Sequence, residues 1–404
     1  MINTTIRALA AFFFSLIAIS SNAYDWPVKT NEELYNDMIE YASSFANEVK
    51  DAKMSRVLKR FIRVEQRKFP KDPYAWILDT YKVSNKLKSL SEPIYDDGSD
   101  AAIVRRRILG LVDFPIHEHD RIDPQSKTPP GNEDPGHIQR DAFENGRDWY
   151  RYDALRKAVE WLNKPVPKEG ELAVFRVYNM GYIFRTANRC FAIDLGREIP
   201  DKYCKALASK LDVLFLTHPH GDHFWAPMLE AMIDADKTVF LPKDVISDCV
   251  SKRKTILWED MTIPLDVCGI KIQLFAGNQN ASNPASVPNN VYHLTVDGWT
   301  INHSGDNDDR MRQSRLGELT CPDIAIFASW NNVKHSMNAI KKCPDFDKSK
   351  VTCLPSHENE FWHRVKQRES WWEDFTRNDR YADKEYDYLP CIFMDNGESI
   401  LLRK

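Results

Sequence analysis

The chain has 404 residues, 43% hydrophobic and 28% charged, with a formal charge of −4. That length exceeds what one hydrophobic core usually holds, so two structural units are expected, and the composition is that of an ordinary globular protein. With 55 basic residues against 59 acidic ones, no net positive field favours a phosphate backbone, and no nucleic-acid partner is expected.

Residues 1–23 differ from the rest. Arg7 is their only charge, 8–19 is apolar, and Ser21-Asn22-Ala23 ends in small residues. This pattern predicts a cleavable secretory signal peptide and an exported protein, periplasmic or secreted, beginning at Tyr24. The apolar stretch is shorter than the roughly 20 residues a membrane anchor needs, so no transmembrane anchor is expected. Loss of Arg7 takes the charge from −4 to −5. Eight cysteines are an even number, and none precedes Cys190. In an oxidising compartment that permits disulfides; Cys190 with Cys204 is the pair to test first, an ordinary buried thiol being an equal alternative for each.

From 30 to about 164 the periodicity is helical. Leu34, Met38, Tyr41, Phe45 and Val49 recur at spacings of three and four, after a capping-box pair Thr30 and Glu33. Further helices are expected over 55–69, 73–90, 101–112 and 140–163. The polar stretch 121–136 between the last two is long enough to serve as a lid. His117 and His119 just before it have ligand spacing but no companion motif, and are read as part of a solvated loop. The Pro- and Lys-containing segment 164–170 marks a boundary between a helical N-terminal unit, 24–165, and a second unit, 171–404.

In the second unit the pattern turns to strands. Strands at 171–178 and 182–186 make a hairpin around Asn179-Met180-Gly181, and a third runs over 189–196. An apolar strand, 211–217, precedes a helix at 224–235 and a strand ending at Phe240. A strand over 269–276 leads into a loop, and 291–296 with 299–304 form a hairpin around Asp297-Gly298. Strands at 323–329 and 351–356 each lead into a helix. A last hairpin is expected to turn at Asp395-Asn396-Gly397. The class is α/β, two mixed sheets sandwiched by helices with the strand ends along one edge.

Chemistry concentrates at that edge. His218-Pro219-His220-Gly221-Asp222-His223 sets three of eleven histidines and a carboxylate within six positions. Imidazole and carboxylate are ligands that borderline divalent ions such as zinc prefer, and residues two apart on extended backbone point the same way. His218 and His220 can therefore grip one ion together, while Asp222 and His223, at the strand-to-helix turn, can face a second. Downstream, Gly305-Asp306 and Ser356-His357 each end a strand, with Gly305 allowing a sharp turn.

This order, HxHxDH, then Gly305-Asp306, then Ser356-His357, resembles the metallo-β-lactamase fold hydrolases over about residues 171–404. The segment Trp299-Thr300-Ile301-Asn302-His303-Ser304-Gly305-Asp306 is most similar to the branch with sugar-phosphate lactonases and N-acylphosphatidylethanolamine phospholipase D. The resemblance implies an αββα sandwich. It also implies that His218 and His220 hold one metal, that Asp222, His223 and His357 hold another, and that Asp306 bridges them. The family usually supplies a further histidine to the first metal from the loop after 269–276. Here that loop reads Gly277-Asn278-Gln279-Asn280 and holds none, so an amide oxygen of Asn278, Gln279 or Asn280 is the substitute on offer, a weaker ligand than imidazole. His303 is a candidate for orienting a ligand, and His335 and Glu358 are candidate substrate contacts. His293, inside a strand, and Trp362, Trp371 and Trp372 are read as packing residues.

The implied activity is metal-dependent hydrolysis, in which the metal makes a water acidic enough to attack an ester-type bond, a phosphodiester or lactone being favoured. Asp222 would orient that water or take its proton. Zinc is the cofactor of choice, one or two ions, with iron or manganese as alternatives, and the substrate class is a small or lipid-like molecule. Two rivals come from other classes: an iron-dependent oxidoreductase on the same ligands, and a binding protein whose metal site has partly decayed.

Overall fold

The computed structural model describes residues 31–66, 73–118, 146–242, 255–258, 261–279, 287–329, 333–357 and 387–404. The expected signal peptide, the stretch 121–136, His119, Asn280, Glu358 and the three tryptophans after it lie outside the described residues.

The N-terminal helices are α1 (Asn31–Glu48), α2 (Ala52–Glu65), α3 (Pro73–Lys88), α4 (Asp100–Glu118) and α5 (Gly146–Leu162). α2 begins at Asp51, whose carboxylate accepts the Met54 N–H. It buries Met54, Leu58, Phe61 and Val64, one stripe at helical spacing. α4 runs six residues past the expected end, so His117 is helical rather than in a loop.

The strands are β1 (Glu171–Tyr178), β2 (Gly181–Arg185), β3 (Cys190–Ile193), β4 (Val213–Phe215), β5 (Thr238–Pro242), β6 (Thr255–Trp258), β7 (Met261–Val267), β8 (Ile270–Gln279), β9 (Val287–Val296), β10 (Trp299–His303), β11 (Ile324–Ala328), β12 (Thr352–Ser356) and β13 (Glu398–Arg403). Interspersed helices are α6 (Asp201–Ala208), α7 (Ala226–Asp234), α8 (Arg310–Ser314) and α9 (Val333–Ile340). One sheet has the order β13-β1-β2-β3-β4-β5-β6 and the other β12-β11-β10-β9-β8-β7. Both are mixed: β3, β4, β5 and β6 pair in parallel, as do β10, β11 and β12.

Strand parity sorts the side chains into layers. Leu172, Val174, Tyr182, Phe184, Phe191 and Phe215 face Ile272, Leu274, Tyr292, Leu294, Ile301 and Ile326 between the sheets. Phe175 and Ile183, of opposite parity, join α1 to α7 in one continuous apolar cluster that includes Phe45, Leu58, Leu111, Leu155 and Trp161. On the other side Phe275, Val291 and Phe327 pack with Met337 and Ile340 of α9. The layers are thus helices, sheet, sheet, helices: the αββα arrangement.

Two expectations are corrected. β8 continues through Gln279, pairing with β9 as far as Val287, so Asn278 and Gln279 end a strand and are not in a loop. The turn at Asp395-Asn396-Gly397 does not close a hairpin. Before it, Cys391 bridges to Cys353 of β12; after it, β13 pairs antiparallel with β1. The turn therefore carries the chain from one sheet to the other, with Gly397 at φ +76°.

Candidate metal centre

Six side chains from three strand ends, those of β4, β10 and β12, meet at the edge between the sheets. Asp222, His223, Asp306 and His357 form one group and His218, His220 and Asp306 another, the ligand atoms in each lying within 4.8 Å of one another. His223 Nε2 stands 3.1 Å from Asp222 Oδ2 and 3.3 Å from Asp306 Oδ1. His357 Nε2 stands 3.3 Å from Asp222 Oδ2 and 3.0 Å from Asp306 Oδ2, and His218 Nε2 is 3.7 Å from the same oxygen. Two ligands each about 2.1 Å from a tetrahedral ion stand about 3.4 Å apart, so this spacing suits ions between them. The residues fit by a second measure: His218 Nε2, His223 Nε2 and Asp306 Oδ1 are buried with no hydrogen-bond partner, a cost that a bound cation removes.

Local structure aims these groups. Gly305, at φ +54°, turns the chain so that Asp306 points inward; a Cβ there would lie 2.4 Å from Asn289 Oδ1 and 2.7 Å from the Thr217 side chain. The Asp306 N–H donates to Asn289 Oδ1 at 3.0 Å. His357 sits at φ +77°, a left-handed conformation that a non-glycine residue holds only when its surroundings demand it. Gly196 lets the 222–223 backbone pass close by, since a Cβ would lie 2.3 Å from the Asp222 carbonyl carbon.

Asp194, at the end of β3, is the residue that the sequence reading missed. His223 Nδ1 donates to Asp194 Oδ2 at 2.8 Å, which directs Nε2 at the ligand cluster. Thr217 donates its single hydroxyl proton to the same carboxylate at 2.6 Å. Its oxygen, 3.1 Å from His218 Nδ1, must then accept from that nitrogen, which leaves the lone pair of His218 on Nε2, facing Asp306. One buried aspartate thus sets the tautomers of two candidate ligand histidines. The only sequence signal for it was an Asp-x-Gly at a strand end.

Charge in the cluster is balanced internally. Burial alone would raise the Asp222 and Asp306 carboxyls, yet the histidines around them, His223 and His357, hold both well below the usual carboxylate range. Burial likewise opposes charge on His223, but Asp222, Asp306 and Asp194 raise its pKa well above the ordinary imidazole value. Burial and the neighbouring His223 push His218 well down, so it stays neutral and able to ligate.

The remaining candidates fall differently. Gln279 is buried and its Nε2 donates to Asp306 Oδ2 at 2.9 Å, leaving Oε1 without a partner. Asn278 is half-buried and contributes its backbone to Asn307 and Asp308. His303 Nε2 donates to the Met180 carbonyl and its Nδ1 accepts the Gly305 N–H, so it braces the turn that carries Asp306 and bonds to no ligand side chain. His335 is exposed on α9, outside both ligand groups. Cys190 and Cys204 are free thiols, not a disulfide; the Cys204 thiol instead donates to the Ile199 carbonyl.

No family model matches the chain. A UPF0173 metal-dependent hydrolase from Roseiflexus sp. (strain RS-1) is 28% identical over 145 residues, which are 33% of this chain and 59% of that protein. Among solved structures, Igni18, a metallo hydrolase from Ignicoccus hospitalis KIN4/I, is 18% identical with a TM-score of 0.44, covering 58% of this chain and 99% of that one. An isothiocyanate hydrolase from Delia radicum gut bacteria is 16% identical with a TM-score of 0.41, covering 57% and 99%. CmlA, a diiron β-hydroxylase from Streptomyces venezuelae, is 10% identical with a TM-score of 0.39, covering 60% and 55%. By layer order and by the ligand pattern at its strand ends, this chain has the fold of the metallo-β-lactamase-like metallohydrolases.

Proposed function

We propose that the protein is a metal-dependent hydrolase acting on an ester-type bond, a phosphodiester or lactone in a small or lipid-like substrate. The observation that carries this reading is the convergence of His218, His220, Asp222, His223, Asp306 and His357, with orphaned buried atoms of His218, His223 and Asp306 aimed into the gap. A divalent metal held there would lower the pKa of a water from 15.7 to about 7 and polarise the substrate oxygen. Zinc suits the nitrogen and oxygen donors, with iron or manganese as alternatives.

The chain's own groups do the rest. Asp222 stays ionised because His223 and His357 flank it, so it can orient the attacking water or accept its proton. Asp194 fixes two of the three imidazoles that face Asp306, His223 directly and His218 through Thr217, and His303 keeps the Asp306 turn in place. Burial of the cluster strengthens each of these electrostatic contacts.

The reading is tested by metal analysis of the purified protein beside a panel of phosphodiester, lactone and β-lactam substrates. Turnover abolished by chelator and restored by zinc supports it; bound iron with consumption of oxygen points to an oxidoreductase. Metal binding without turnover on any substrate makes the protein a binding module. We also propose export, on the leader-like pattern of residues 1–23. N-terminal sequencing should find Tyr24 first, and an intact Met1 in the exported fraction would overturn it. Among the described residues no helix is long and apolar enough to cross a membrane.

A further inference from the structure

The helices before residue 165 touch the centre through one continuous set of buried hydrogen bonds. Lys88, the last residue of α3, is 4% exposed and its Nζ donates to Asp395 Oδ2 at 3.0 Å and to the Asn396 carbonyl at 2.9 Å. Asp395 Oδ1 accepts the Asn396 N–H at 2.6 Å, so the ammonium and the carboxylate together clasp the turn between the sheets. Arg105 of α4 bears on the same turn by pairing with Glu398, whose Oε2 accepts the Asp395 N–H at 2.7 Å. Asn396 Oδ1 in turn accepts the Asn179 N–H at 3.1 Å, and Arg176 Nε donates to the Asn179 carbonyl at 2.8 Å. Asn179 Nδ2 then donates to Asp222 Oδ2 at 2.8 Å.

That last oxygen is the one facing His223 and His357, at 3.1 and 3.3 Å. We infer that Lys88 and Asn396 are positioning residues for Asp222, acting through Asn179, so that the N-terminal helical unit sets the geometry of the metal centre. The inference rests on Asp222 being a metal ligand.

The physical case has three parts. An aspartate carboxylate turns freely about its last bond unless donors fix it, and Asn179 donates to the same oxygen that faces the two histidines. Asn179 can do so only from its left-handed backbone, at φ +51°, which costs about 1 kcal/mol or more and persists only where neighbours impose it. Asn396 and Arg176, gripping its N–H and carbonyl, impose it. Finally, Lys88 and Asp395 are both buried, with side chains 5% and 2% exposed. Separating two such charges in the interior is costly, so the pair ties α3 to the turn firmly.

The test is a calorimetric zinc titration of the full chain after chelator stripping, with a thermal melt of each stripped variant. Asp222→Ala should remove the tighter binding event; if it does not, Asp222 is no ligand and the underlying reading fails. Asn179→Gly keeps the left-handed backbone and deletes the donor, and should weaken that event by about ten- to a hundredfold, the usual effect of losing a residue behind a ligand, while the stripped melt barely moves. Asn396→Ala should weaken zinc in the same direction. The paired change Lys88→Met with Asp395→Asn removes both charges at once and should again weaken zinc binding severalfold. A purely structural role predicts the reverse, a lower melt with unchanged zinc affinity. If Asp222→Ala loses zinc but Asn179→Gly and Asn396→Ala bind within twofold of the unmodified chain, the relay is wrong while the metal centre stands.

Discussion

Gln279 donates its side-chain amide to Asp306 Oδ2 at 2.9 Å, the oxygen that also faces His357 and His218. An amide nitrogen thus approaches the carboxylate shared by both candidate groups, and the amide oxygen has no hydrogen-bond partner. Among the described residues the group around His218 and His220 has no third imidazole, whereas the other has Asp222, His223, Asp306 and His357. Metal titration of the stripped protein should show one tight ion and a weaker second. Gln279→His should tighten the weaker event by at least tenfold. Two equally tight ions in the unmodified chain would mean that another residue completes the first site.

Asp222 is 6% exposed, more enclosed than an open-cleft ligand would be. With a confirmed substrate, Asp222→Ala should cut turnover far more than tenfold, and tenfold corresponds to about 1.4 kcal/mol of barrier. Rates surviving within that margin would remove Asp222 from the reacting centre. Circular dichroism of the variant should remain that of the unmodified fold, because the cluster sits at the strand ends, outside the apolar core between the sheets.

Gly196→Ala tests the close approach behind the ligand loop. A Cβ would meet the Asp222 carbonyl carbon and oxygen at 2.3 and 2.4 Å and the His223 nitrogen at 2.4 Å, all backbone atoms that cannot swing aside. The expected result is a loss of about 1–3 kcal/mol in a denaturant titration, together with weakened metal binding. Unchanged metal affinity would show that the loop shifts without moving its ligands.

His293 of β9 is buried, and neither ring nitrogen has a hydrogen-bond partner. Burial pushes its pKa down to about 4 from 6.5. Between these values the unfolded chain binds a proton that the folded chain refuses, so stability falls as pH drops from about 6.5 toward 4. At pH 5 the loss amounts to about 2 kcal/mol. Urea midpoints measured at pH 7.5 and pH 5 should therefore fall less for His293→Leu than for the unmodified protein. Equal falls would show that His293 is already charged in the fold.

The ligand run 218–223, the turn Gly305-Asp306 and the strand end Ser356-His357 were legible because metal chemistry restricts residue type and strand geometry restricts spacing, both local properties. The layer order was legible because the largely apolar runs at 171–178 and 291–296 read as strands buried on both faces, which need a sheet on one side and helices on the other. What the sequence could not decide depends on pairing partners distant in the chain. Only the tertiary structure extends β8 to Gln279 and turns that amide onto Asp306, because the extension comes from β9 pairing. It alone sends the chain from β12 across to β1 at Asp395-Asn396-Gly397, where local turn chemistry reads as a simple hairpin. Asp194, Asn179 and Lys88 carry no motif, since a residue that acts behind a ligand is defined by what it touches, and those contacts span 29, 43 and 307 positions.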